Sequence, residues 1–252
     1  MKLIRFERDE KITFGILDGE KVQALRGPPT QPLHLEETLT LGEIRLLAPI
    51  LPSKIVAVGL NYRAHAKELN LKPSDEPLLF LKPPSALNGP GSPILLPEMS
   101  RRVDYEGELA IVVGQRAKNL SEGEVPKAIL GYSCFNDITA RDLQFKDVQF
   151  TRAKAFDTFA CLGPWIETEL DPSDLKIETK VNGQVRQSSR TSDMIFSVPR
   201  VVSFISQVMT LEPGDVIITG TPAGVGPLEN GDTVEVTIEG IGTLSNPVIH
   251  VE

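Results

Sequence analysis

Two glutamates placed two residues apart, Glu106 and Glu108, lead into the apolar run Leu109-Ala110-Ile111-Val112-Val113. The run is apolar and rich in β-branched residues, so it reads as a strand entering a core. Side chains alternate along a strand, and both carboxylates therefore project from one face. Like charges side by side repel, and a strand disfavours them unless something offsets the repulsion. The fold must bring a compensating group to that face. A divalent cation is the simplest one, and oxygen-only ligation suits Mg²⁺, Mn²⁺ or Ca²⁺ better than zinc. The competing reading is a solvated strand face that happens to carry two glutamates.

Strand-like segments punctuated by glycine and proline, 20 of each in 252 residues, continue along most of the chain. Three fall within the first 26 residues, at Lys2–Phe6, Ile12–Leu17 and Lys21–Ala24, with Asp18-Gly19 as a hairpin turn. A Pro-rich connector follows (Gly27-Pro28-Pro29, Pro32), then a small segment near Leu39–Leu47. A boundary near Pro52 separates a small N-terminal β-rich segment, 1–51, from a larger one, 52–252. The larger segment offers strands at Ile55–Val58, Leu78–Lys82, Ile94–Leu96, Leu109–Val113, Leu162–Glu167, Lys176–Val181, Val216–Thr219, Thr233–Ile238 and Gly242–Val248. Helices are expected at Asn61–Asn70, at Glu122–Ile129 with Ser121 as N-cap, and at Val198–Gln207 opened by Pro199. Irregularly spaced strands with three short helices indicate a β-rich α+β fold, not alternating βαβ units.

The formal charge of −8 argues against nucleic acid or an anionic membrane as main partner. It says little about small anionic substrates, since a metal can dominate the local field. The start, Met1–Phe6, lacks an apolar signal region, and no apolar run reaches 18 residues. Cys134 and Cys161 form no C-x-x-C motif. These features lead us to expect a cytoplasmic protein with reduced thiols.

Four further segments carry candidate chemistry. Asn136-Asp137 closes a strand-like segment ahead of Thr139-Ala140-Arg141-Asp142, so Asp137 is either a third oxygen ligand beside Glu106 and Glu108 or a cap on the following turn. Lys154, among Ala153, Ala155 and Phe156, either neutralises a substrate carboxylate or enolate or is a surface lysine. His65 and Glu68 are three apart, neighbours on one helical face. A carboxylate touching an imidazole orients it and raises its basicity, as a general base requires, although such pairs also arise by chance on exposed helices. Val216–Gly226 runs from an apolar strand into a Gly-rich turn without the spacing of a dinucleotide or phosphate loop. Its glycines allow backbone amides to approach a carboxylate beside Thr221, or simply make a tight turn.

Six ordered blocks together resemble the fumarylacetoacetate hydrolase family: Gly59–Glu68, Phe80–Leu87, Asp104–Leu109, Asn136–Gln144, Lys154–Phe159 and Gly214–Gly226. The resemblance implies a mixed β-roll or sandwich with a metal site of Glu106, Glu108 and Asp137, binding Mg²⁺ or Mn²⁺, with Ca²⁺ a further candidate and no organic cofactor. It implies Lys154 as the active-site lysine, with Arg141 and Gln144 lining the substrate pocket. Lys82 and Thr221 are further pocket candidates, and His65 and Glu68 the water-activating pair on a lid. The large tyrosine-pathway hydrolases carry another acidic ligand where this chain has Val58-Gly59-Leu60-Asn61, so the chain looks like the smaller bacterial branch. The implied substrate is a small anionic 2-oxo acid and the implied assembly a homodimer. The implied activity is that of a 2-hydroxyhepta-2,4-diene-1,7-dioate isomerase, with decarboxylation of the related 5-carboxymethyl-2-oxo-hex-3-ene-1,6-dioate. Hydrolysis of fumarylpyruvate or another acylpyruvate, and oxaloacetate decarboxylation, are the alternatives. A catalytically silent metal-binding β-module is the reading from outside enzymology.

Overall fold

Gly107–Val113 is buried at every position, which requires apolar matter on both faces of its sheet. The computed structural model, describing residues 1–250 except Pro32 and Pro73, shows both faces covered. Pro32 of the expected connector and the last two residues of the expected 52–252 segment therefore lie outside the described residues. Leu109, Ile111 and Val113 enter one apolar cluster, while Ala110 and Val112 enter another on the opposite face. The same alternation divides Val56 and Val58 from Ile55 and Ala57.

Among the described residues, this strand lies within a 12-stranded mixed sheet. From one edge the order is Leu35–Thr40, Lys21–Leu25, Lys11–Asp18, Lys2–Arg8, Ala160–Glu167, Ile129–Asp137, Gly107–Val113, Val216–Ile218, Ile55–Gly59 and Leu78–Lys82. Two short strands, Arg45–Leu47 and Leu87–Asn88, pair off this path. A five-stranded sheet (Gln184–Arg190, Lys176–Val181, Thr233–Ile238, Gly242–His250, Ile94–Leu96) packs on one face through the larger cluster. The helix Val198–Val208 joins that cluster through Val198, Val201, Val202 and Ile205, the spacing of one helical face. Its N-cap Ser197 accepts the Arg200 N–H at 3.4 Å. A small third sheet joins Thr139–Ala140, Val103–Tyr105 and Gly226–Pro227. The architecture is the expected β-rich α+β fold. Among the described residues, no helix is long and apolar enough to cross a membrane.

Residues 2–47 build an antiparallel meander with its own small core, including Ile4, Phe6, Leu17 and Val22. The meander adds to the large sheet through the pairs Lys2↔Glu167 and Leu3↔Ile166.

Three departures from expectation have local causes. The segment expected as the helix Glu122–Ile129 is a 3₁₀ turn, Glu122–Glu124, and a single α-turn, Val125–Ala128, after which Ile129 opens a nine-residue strand. The Ser121–Glu124 capping box is present, but the following Ile-Leu-Gly-Tyr-Ser-Cys-Phe run favours strand. The strand Gln184–Arg190 buries only Gln187, so it shows no apolar alternation to detect. The helices Arg141–Lys146 and Thr151–Lys154 are too short for a helical period to emerge.

Candidate active site

Glu106 lies where the chain leaves one sheet for another, between Val103–Tyr105 and Gly107–Val113. The continuous strand read from the sequence is thus interrupted at the first glutamate. The backbone there is nonetheless pinned: the Glu106 N–H donates to Asn136 Oδ1 at 2.9 Å, and its carbonyl accepts the Asp137 N–H at 2.8 Å. Asp137 ends the strand Ile129–Asp137 and so arrives beside the E-x-E segment. One oxygen from each of Glu106, Glu108 and Asp137 lies within 4.8 Å of the others, and all three residues are buried.

Three buried cations surround this centre. Lys154, the last residue of its short helix, donates to Glu106 Oε2 at 2.8 Å and Asp137 Oδ2 at 2.5 Å. Its ammonium also lies 5.2 Å from the centroid of the Phe80 ring. The Arg141 guanidinium bonds Glu106 Oε1, while its Nε donates to Asp104 Oδ2 at 2.9 Å. The Lys82 ammonium bonds the other oxygen of Asp137. Burial alone would raise the Glu106 pKa, but Lys154 and Arg141 hold it below the ordinary carboxylate range. Burial likewise opposes the charge on Lys154, yet Asp137 and Glu106 keep its pKa above that of an ordinary lysine. Lys82 has a single carboxylate partner and another ammonium nearby; burial prevails and its pKa falls.

Glu108 differs from its neighbours. It accepts the Gly220 N–H at 2.7 Å, but among the described residues it has no ammonium or guanidinium partner. Burial, together with Asp137 and Glu106, pushes its carboxyl pKa well above the usual range. A buried carboxylate with uncompensated charge, converging with two others in an all-oxygen set, fits a hard divalent cation. Gly220 reaches Glu108 because its φ is +90° and a Cβ would meet the Asn61 Cβ at 2.8 Å.

The three carboxylates form part of the lining of a cavity of about 420 Å³. His65, Arg141, Gln144, Lys154 and Thr221 line the same space. Glu68 stands behind His65, its Oε2 2.8 Å from Nδ1, which leaves Nε2 as the ring nitrogen available to a bound molecule. Gln144 Oε1 accepts from Arg141 at 2.5 Å. Two of the expected substrate contacts are placed otherwise. Lys82 does not line the cavity; it sits behind Asp137, held by that carboxylate and by the Ile138 carbonyl at 3.3 Å. The Thr221 hydroxyl reaches the wall but donates to the Gly107 carbonyl at 2.9 Å and accepts from Gln187 at 2.8 Å.

Several residues of the site escape a reading of the sequence alone. Asp104 orients Arg141, and the period-two rule that groups Glu106 with Glu108 would have included it. Gln187 donates to Thr221 and Pro222 while accepting the Gly107 N–H at 3.0 Å, from a polar strand distant in sequence. No sequence signal marks it. A larger cavity, about 700 Å³, lies elsewhere, lined by residues such as Val125, Leu170 and Met194, and none of the predicted site residues borders it.

Stacked mixed sheets place a buried carboxylate triad, faced by a lysine, on the wall of a cavity, and the triad could hold a metal ion. Residues 54–249 match the family model described as fumarylacetoacetate (FAA) hydrolase C-terminal, and residues 1–49 match one described as Rv2993c-like, N-terminal. The chain belongs to the fumarylacetoacetate hydrolase family. It is similar to the 2-hydroxyhepta-2,4-diene-1,7-dioate isomerase from Mycobacterium marinum, with 48% identity and a TM-score of 0.93 over 99% of this chain and 98% of that one. It is 43% identical to the oxaloacetate tautomerase YisK of Bacillus subtilis, over 83% of this chain and 74% of the relative. The maleylpyruvate hydrolase from Sphingobium sp. SYK-6, solved with manganese(II) and pyruvate, is 30% identical with a TM-score of 0.84 over the whole of both chains.

Proposed function

We propose that this chain is a Mg²⁺- or Mn²⁺-dependent enzyme that moves protons through the enolate of a small 2-oxo acid. Isomerisation of 2-hydroxyhepta-2,4-diene-1,7-dioate is the leading reaction. The observation that carries this reading is the Glu106–Glu108–Asp137 triad, with uncompensated charge on Glu108 and the Lys154 ammonium on the same cavity. Glu106, Glu108 and Asp137 would hold the cation. Bound there, it supplies Lewis-acid stabilisation of negative charge developing on a 2-oxo acid. Lys154 and Arg141 supply fixed positive charge on the same side of the cavity, where a substrate carboxylate and an enolate oxygen need it. His65, oriented through Nδ1 by Glu68, presents Nε2 to take up and return the transferred proton. The cavity wall beyond the charged floor is apolar, with Leu69, Leu78, Phe150 and Phe196, which limits access of water to the enolate. At the rim, Lys72 is the cation available to the second carboxylate of a dioate. The resemblance to the Mycobacterium marinum isomerase supports the choice of substrate.

The same groups suit carbon–carbon hydrolysis, in which His65 would direct water at the second carbonyl of an acylpyruvate. The intact His65–Glu68 pair favours that second reading, and the similarity to YisK adds oxaloacetate tautomerisation to the reactions worth assay. A turnover panel with Mg²⁺ and Mn²⁺ decides among them: 2-hydroxy-dienedioates, fumarylpyruvate, short acylpyruvates and oxaloacetate. Metal binding with no turnover of any member would overturn the enzyme reading in favour of a silent metal-binding module. His65→Ala separates the mechanisms. In a hydrolase it should lower cleavage about 10²- to 10⁴-fold while enolisation of the substrate stays measurable. Full cleavage in that variant removes His65 from the mechanism.

A further inference from the structure

Glu68 uses both oxygens. Oε2 meets His65 Nδ1 at 2.8 Å, and Oε1 accepts the Gly224 N–H at 2.9 Å. The carbonyl of the same Gly224 accepts the Tyr105 hydroxyl at 2.9 Å, and Tyr105 immediately precedes Glu106. One series of hydrogen bonds thus runs from the carboxylate-bearing segment, through the N–H and C=O of a single residue, to the imidazole on the cavity wall. Only glycine serves at the joint: Gly224 has φ +100°, and a Cβ would come 2.2 Å from the Arg186 carbonyl oxygen. Tyr105 itself is buried, and its backbone pairs in register with Gly226.

The other end of the His65 helix is anchored separately. The Asn61 amide donates to the Thr219 carbonyl at 2.8 Å and the Phe196 carbonyl at 3.1 Å, and its oxygen accepts the Phe196 N–H at 2.7 Å. With that root held, the setting of the last turn, which carries Glu68, depends on Gly224. Tyr105 does not line the cavity of the carboxylate centre.

We propose that Tyr105 is a positioning residue whose hydroxyl, acting through Gly224, sets Glu68 and thereby the His65 ring beside the carboxylate centre. The proposal rests on His65 taking part in the reaction proposed above. A hydrogen bond on one ring nitrogen fixes the tautomer and plane of an imidazole, and the groups supporting that bond govern how well the other nitrogen is aimed. A tyrosine that merely satisfied a turn carbonyl would matter for stability alone.

Tyr105→Phe keeps the ring and removes only the hydroxyl. Two measurements test it. By hydrogen-exchange mass spectrometry, peptides covering residues 63–70 and 222–226 should exchange about fivefold faster or more in the variant, with Gly107–Val113 unchanged. Unaltered exchange in both peptides overturns the proposal, whether or not a substrate is turned over. On the substrate that the wild type accepts, kcat should fall about 10-fold, with KM and Mn²⁺ affinity within about twofold. That loss should vanish when the substitution is made in a His65→Ala background and the residual turnover is compared. An equal loss in both backgrounds, or a matching fall in Mn²⁺ affinity, shows a structural role and overturns it. Should the wild type turn over no member of the panel, the functional reading fails, while hydrogen exchange still decides the connection between Tyr105 and the His65 helix.

Discussion

At the floor of the cavity, Glu106, Glu108, Asp137 and Lys154 are at most 5% exposed, whereas at its rim Leu71, Leu78 and Phe145 are 52%, 49% and 73% exposed. The floor is held by strands of the central sheet, by paired cations and by backbone N–H groups. The rim is built of a loop after the His65 helix, an edge strand and the Arg141–Lys146 helix. The contrast follows from what each region must do. Charge acts strongly only where water is excluded, so the carboxylate centre has to be embedded in a rigid core. Apolar side chains that meet a substrate must be uncovered beforehand, and exchanging one of them costs the fold little. On the function proposed above, chemistry and selectivity have separate supports in this molecule.

Breaking the floor gives the largest expected effect. Glu106→Gln should lower Mg²⁺- or Mn²⁺-dependent turnover by about 100-fold or more. The metal-free variant should also lose about 1–3 kcal/mol of stability, since Arg141 and Lys154 lose an anionic partner while keeping Asp104 and Asp137. Assays across a metal titration, with chemical denaturation alongside, check both. Near-normal turnover at ordinary Mg²⁺ would refute the metal assignment.

At the rim, Phe145→Ala should change the ratio of kcat/KM between two substrates of different chain length by about 10-fold. Mn²⁺ affinity and melting temperature should stay near the wild-type values. A fall in metal affinity comparable to that of Glu106→Gln would dissolve the distinction between the two regions.

The smallest effect sharpens what makes the floor unusual. Cys134 and Cys161 are as buried as the carboxylates, burial outweighs the nearby Lys82 charge at Cys161, and both thiol pKa values are pushed up to about 12. They should react with a thiol reagent near pH 8 at least about 100-fold more slowly in the native protein than in denaturant. The sign for stability follows: thiols in the unfolded chain ionise near 9.0 while the native ones stay protonated. This contribution is complete below that pH and is lost as the pH rises toward about 12. Rapid native reactivity would contradict the packing around both sulfurs.

The same contrast explains what could be read from the sequence. Strands with one apolar face, such as Lys176–Val181 and Thr233–Ile238, carry their own period and stand where the residues predict. Strands exposed on both faces, such as Leu35–Thr40 and Gln184–Arg190, carry none. In the site, Glu106, Glu108 and Asp137 are conspicuous because like charges next to apolar runs demand a partner. Lys82 illustrates the limit: its residue type and motif are visible, but whether an ammonium faces a cavity or the back of a carboxylate depends on how strands far apart in sequence stack. Asn61 and Gln187 work through backbone groups brought close by the fold, and local sequence does not encode those encounters; Gly224 lies in the turn whose glycines are expected to bring amides to a carboxylate, but which carboxylate it meets depends on the fold.

The N-terminal meander has a consequence beyond its own small core. Its strand Lys2–Arg8 extends the sheet past Ala160–Glu167, and Leu3 enters the same apolar cluster as Phe135 and Leu162. Without it, a stretch of unpaired peptide groups beside exposed apolar side chains would invite pairing with another molecule. The meander thus serves as an edge guard. It contributes nothing to the lining of the cavity, yet it covers the flank of the sheet that carries the carboxylate centre, pairing there at Lys2↔Glu167 and Leu3↔Ile166.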